Sequence, residues 1–221
     1  MNLPQLFIFV ERLRKEAIGD PKWIEETQVF EYEEHFAKVV AILKLVRGAQ
    51  GVAALEMLCC RGLFIDLGAV FRCVLDCEAE IYFLLEQFPQ TSSNVDQFVK
   101  SFFESTIEGH LFMEAHPVQT KKIRSAMVRV LKDSHDNDTL ARLQNIYKTF
   151  SGYVHANYSH IMEIYNGATC SFNLAGVPSM KQRAIRREAV GLAANSMLHA
   201  AAFIARTVHL TNLHREIVES W

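Results

Sequence analysis

The chain has 221 residues, of which 50% are apolar and 22% charged, the balance of a globular protein with a sizeable core. A chain of that length buries most of its apolar surface without disulfides or a structural metal. Its 23 basic and 25 acidic residues leave a net charge of −2, which is not the electrostatic footprint of a protein that coats nucleic acid.

Only 10 Gly and 5 Pro leave little material for loops, so composition favours long helices. The cysteines (Cys59, Cys60, Cys73, Cys77 and Cys170) match neither a disulfide framework nor a zinc pattern. They read as small core residues of a cytoplasmic protein. The segment Met1 to Arg14 has a short apolar run, but no basic stretch before it and no small-residue cleavage site. The long apolar stretch Ala189 to Ala205 is interrupted by Asn195, Ser196 and His199. A membrane span needs about 20 cleaner residues, so this stretch reads as a buried helix.

The 3.6-residue period predicts about six or seven helices and no convincing strand. A short helix covers roughly Leu3 to Ala17. Asp20-Pro21 supplies a cap and a first-turn proline for a long helix running to about Arg47, acidic in its early turns. Gly48 and Gly51 mark a break, and the next helix, about Val52 to Gln87, stops before Pro89. Ser93 with Asp96 resembles a capping box for a helix to about Glu114, ended by His116-Pro117. A shorter helix spans about Gln119 to Lys132, and the polar turn Asp133 to Asp138 follows. A helix from about Thr139 to Tyr165, a non-helical segment from Asn166 to Ser179 and a last helix from about Met180 to Val218, capped by Ser179-x-x-Gln182, complete the chain. The expected architecture is all-α: a single domain over residues 1–221, folded as one helical bundle.

The densest basic runs, Lys181 to Arg187 and Lys121 to Arg124, read as charges on solvated first turns. The Thr139–Tyr165 helix carries more information. Leu143, Tyr147, Phe150, Val154, Tyr158, Ile161 and Tyr165 fall within about 40° of one line and form its expected buried stripe. Gln144, Lys148, Ser151 and His155 lie beside that stripe, Ser151 and His155 stacked one turn apart. A histidine at the border of a core stripe has an adjustable pKa. It serves either as a general acid/base or polar anchor, or as a core-edge histidine bonded to a neighbouring helix. On the Val52–Gln87 helix, apolar nearly all round, Arg72 and Asp76 are spaced i,i+4 and able to pair. They read as a structural ion pair or as the lining of a polar pocket shared with His155.

Metal-ligand spacing is missing: there is no His-x3-His, and His155 and His160 point about 140° apart on a helix. No metal and no cofactor is expected. Neither a G-x-S-x-G elbow nor a glycine-rich phosphate loop occurs.

Arg72-x3-Asp76-x-Glu78 in a central helix, followed in a later helix by Tyr147-Lys-Thr-Phe-Ser-Gly-Tyr-Val-His155, resembles a group of poorly characterised bacterial helical proteins with "R-x3-E" and "L-S-x-Y-x-H" helices. That group lies loosely near the HEPN superfamily, and the resemblance covers roughly residues 40 to 165. It implies a dimeric bundle and a place in bacterial stress or defence. A subset of HEPN proteins are metal-independent ribonucleases with an R-x4–6-H motif. Upstream of His155 the cations are Lys148 and Arg142, outside that spacing, while Arg129-x5-His135 has the spacing but is followed by Val130. Two functions are therefore expected. The first is a non-catalytic binding or interaction protein, homodimeric, with Arg72, Asp76, Ser151 and His155 at its binding site and a protein or small molecule as partner. The alternative is a HEPN-type ribonuclease acting on RNA with His155, Lys148 and Arg72 as catalytic groups.

Overall fold

The computed structural model describes residues 3–26, 28–107, 118–132 and 137–221. Helix α1 (Leu3–Ile18) buries Leu6, Phe9, Val10 and Leu13, the i, i+3, i+4, i+7 stripe of an amphipathic helix. Each such side chain contributes about 1.5–3 kcal/mol on leaving water. Gly19 ends the helix with φ +69°, a left-handed conformation that glycine adopts without a Cβ penalty.

The long helix expected from Asp20-Pro21 to Arg47 does not form. Strands β1 (Lys22–Ile24) and β2 (Val29–Glu31) pair antiparallel instead, with Trp23 opposite Phe30. Aromatic and β-branched residues on both sides of the turn favour a pleated ribbon, and the two rings meet edge to face at 5.0 Å. The acidic residues expected to ride on a helix dipole lie in and after this hairpin.

Helix α2 (Ala37–Arg61) then runs unbroken through Gly48 and Gly51, where the sequence suggested a break. A Cβ on Gly48 would stand 2.2 Å from Met197 Sδ, and one on Gly51 2.6 Å from Val74 Cγ2. These glycines are contact points for neighbouring helices, not helix ends. The break comes later. Gly62 (φ 72°) and Leu63 donate to the carbonyls of Cys59 and Leu58, a left-handed cap that closes α2. Helix α3 (Phe64–Leu85) starts directly after it, so the expected Val52–Gln87 helix is two elements.

Helices α4 (Ser93–Ile107), α5 (Thr120–Lys132) and α6 (Asn137–Val154) follow. The α4 cap is Ser92, whose Oγ accepts the Val95 N–H, one residue earlier than expected. The expected end of that helix near Glu114 to Pro117, and most of the expected Asp133–Asp138 turn with His135, lie outside the described residues. After α6 come a short helix α7 (Tyr158–Met162) and a second antiparallel hairpin, β3 (Tyr165–Asn166) with β4 (Ser171–Phe172). Helix α8 (Met180–Thr207) is capped as expected by Ser179, which accepts the Gln182 N–H. His209, at φ 63°, breaks the expected last helix, and α9 (Thr211–Glu219) completes the chain.

The protein is thus mostly helical, with two short hairpins that the helical period concealed. α3 packs against α2, α5, α6 and α8, while α1 and α9 pack on α8. One contiguous apolar cluster links the helices α1 to α6, α8 and α9. α8 is long and apolar enough to cross a membrane, but 56% of its apolar window is buried inside the fold. Its alanines, among them Ala193, Ala194, Ala200 and Ala201, lie at the core contact.

Candidate functional site

Of the residues singled out in the sequence, Arg72, Tyr147 and Phe150 lie at the contact between α3 and α6, which run antiparallel. A Cβ on Gly68 would meet the Tyr153 ring at 2.2 Å, Phe71 stacks on Phe150 at 4.1 Å, and the Tyr147 hydroxyl donates to the Leu75 carbonyl at 2.5 Å. Tyr147 is buried, and burial raises its phenol pKa well above the ordinary value. Two guanidiniums lie over its ring: Arg72 at 4.8 Å and Arg124, from α5, at 4.4 Å from the centroid. Such stacking holds planar cations against a buried aromatic without a carboxylate for each.

Arg72 and Asp76 form the expected i,i+4 pair. The Arg72 side chain is 11% exposed and that of Asp76 38%, so the pair reaches solvent through its carboxylate. Arg72 Nη1 touches Asp76 without hydrogen-bond alignment. Its Nε, like Arg124 Nε, is buried and has no hydrogen-bond partner among the described residues. Truncating one half of such a pair leaves the other charge poorly compensated, which makes the pair a packing determinant before it is anything else.

His155 is not part of this group. α6 ends at Val154, and Ala156 turns the chain with φ 48°. The His155 ring is exposed, as are Lys148 and Gln144, while Ser151 is half-buried. Arg72 packs at the level of Tyr147, and His155 lies eight residues further along, about 12 Å at 1.5 Å per residue. On that spacing the expected pocket joining Arg72 and Asp76 to His155 does not form, while Lys148 is exposed on α6 seven residues before His155. Because α6 stops early, the outer half of the expected stripe (Val154, Tyr158, Ile161 and Tyr165) is exposed.

A second polar constellation, which the sequence reading missed, surrounds Tyr153. This side chain is buried, and its hydroxyl donates to Glu163 Oε1 at 2.7 Å. Burial and that bond push the phenol up to about 12. Glu163 also pairs with Arg186 of α8, and His160 packs on the Tyr153 ring at 4.0 Å. Gly68 makes room for the tyrosine ring, and Gly152 makes room for His160. Glu163 and Arg186 line an open cleft of about 250 Å³ whose other walls are Phe64, Gln182 and Ile185. A glycine one helical position before a tyrosine, with another glycine in the partner helix, was the available signal.

No family model, curated protein or solved structure matches this chain. The chemistry must therefore be read from its own side chains. Among the described residues no three His, Cys, Asp or Glu side chains gather as metal ligands would. Cys59 and Cys77 are buried, as expected of core residues, whereas Cys60, Cys73 and Cys170 are exposed. α3 also holds a buried carboxyl group. Glu78 is 7% exposed, and desolvation raises its carboxyl to about 7. The Ser196 hydroxyl of α8 works against that shift but without an aligned hydrogen bond, so burial prevails.

Proposed function

We propose that this protein is a non-catalytic helical interaction protein, a single bundle that pairs with a second copy of itself in the cytoplasm. The observation that carries the reading is the apolar surface presented by α7, the β3–β4 hairpin and the start of α8. Tyr158, Leu174 and Met180 are 79%, 81% and 75% exposed, and Phe172, Ile161 and Ile185 stand exposed in the same stretch of chain. Apolar side chains concentrated in this way and rimmed by polar groups mark interaction surfaces. The Tyr153–Glu163–Arg186 network stiffens the base of that surface and supplies a polar contact beside it. A two-fold pairing would set the same patch against itself. The resemblance to HEPN proteins, many of them dimeric bundles, supports the same reading. So does the separation of His155 from Arg72, one of the two cations that catalysis by His155 would use.

Sedimentation or light scattering of the purified chain at tens of micromolar tests it, with Tyr158→Lys/Leu174→Glu as the variant. Both positions are exposed, so the fold is retained. Wild type is expected at twice the chain mass and the variant at the single-chain mass. A wild type that stays monomeric at these concentrations refutes the reading.

A further inference from the structure

Helix α5 reads TKKIRSAMVRVLK, with several cations and no carboxylate. Ile123, Ala126 and Met127 face the core and Arg124 turns inward onto Tyr147. Lys121, Lys122 and Arg129 are left on the outer side. These three line a cleft of about 400 Å³ between the end of α3 and the starts of α4 and α5. Its size is that of a site for a small molecule.

Charge in this cleft is unbalanced. Among the described residues Glu86 is the one carboxylate in its lining, and Arg129 holds it in a two-point pair at 2.5 and 2.8 Å. Lys122 donates to the side-chain amide oxygen of Asn94 at 3.1 Å, a neutral acceptor that does not offset its charge. With Lys121 beside it, the described lining carries three cations against one carboxylate. Cations gathered in a concave, partly apolar site focus a positive potential, and an anion placed there relieves their repulsion. Uncharged donors are also at hand: Ser92 Oγ accepts the Val95 N–H, so its own O–H remains free to donate. Phe83, Leu84 and Val95 form apolar wall.

We propose that this cleft binds a small ligand bearing a multiply charged phosphate group. Lys121 and Lys122 contact the phosphate oxygens, Ser92 donates to them, and Arg129 is held in position by Glu86. The site is separate from the self-association surface, so the two readings fail independently.

Tripolyphosphate is the probe, titrated calorimetrically into the full chain at low ionic strength. Saturable binding at one site per chain is expected. Lys121→Gln/Lys122→Gln, a change at two exposed positions, weakens it about tenfold or more, as loss of two close charges requires. Lys181→Gln/Arg215→Gln, which removes the same charge elsewhere, leaves it within about twofold. Raising salt to about 0.5 M weakens wild-type binding at least about tenfold through screening. No saturable binding, an equal loss in the control variant, or indifference to salt overturns the proposal.

Discussion

Replacing Glu78 by glutamine should stabilise the protein at pH 8 and leave it almost unchanged at pH 5. The carboxyl is sealed between α3 and α8, with Ser196, Tyr82 and Tyr147 as neighbours, and burial raises it from an ordinary 4.5 to about 7. A carboxyl raised in the folded state binds its proton more tightly there than in the unfolded chain. Its contribution to stability is therefore complete below the unfolded value. That contribution declines as pH rises between the two values and is lost once pH passes the folded value. The gap is worth about 3 kcal/mol at most, of which roughly 2–3 kcal/mol falls between pH 5 and pH 8. Glutamine is shaped like the protonated acid and does not titrate, so it removes the decline while keeping the packing. Urea denaturation of wild type and Glu78→Gln at both pH values measures the effect. The other titrating groups cancel in the difference between the two proteins. If that difference is the same at pH 5 as at pH 8, Glu78 is not a buried acid of raised pKa and the reasoning fails.

Gly68→Ala should destabilise by about 1–3 kcal/mol, because its new methyl overlaps the Tyr153 ring and the core must shift to admit it. Gly191→Ala is the matched control: it lies in α8 with open space around its missing Cβ, and gains about 0.5–1 kcal/mol of helix propensity. Thermal denaturation of the two variants should move in opposite directions, and a shared sign would contradict the packing described. His155→Ala should change stability by less than about 0.5 kcal/mol, as expected for an exposed side chain beyond a helix end. A larger loss by the same measurement would mean that the ring is held by contacts the structure does not have.

The helical class, the central place of the residues around Arg72 and the Arg72–Asp76 pair were legible in the sequence, because each follows from local spacing. Apolar side chains on every side of α3 require burial on every side. An arginine and an aspartate four apart on such a helix have each other as nearest partners. What was not legible depends on where two segments approach. Gly48 and Gly51 carry no local mark that separates a helix end from a close crossing, and only Met197 and Val74 decide between them. Gly62 looked no different in the sequence, yet it takes the left-handed conformation that ends α2. The β1–β2 hairpin was hidden because its acidic residues satisfied the rule for a helix N-terminus while Trp23 and Phe30 satisfied the rule for a strand. Cross-strand ring contact won.

The same limit explains the misplaced site. Periodicity assigns a side chain to a face of its own helix, but it does not say how far that helix continues. Because α6 stops at Val154, the angle separating His155 from the core stripe lost its meaning one residue before it was used. Tyr153 gained the burial assigned to Val154, and through Glu163 and Arg186 it ties α6, α7 and α8 together. The early stop thus has two consequences with one cause. It dissolves the histidine pocket, and it turns the apolar residues of the unfinished stripe outward. Those same residues, Tyr158 and Ile161 among them, belong to the surface proposed for self-association.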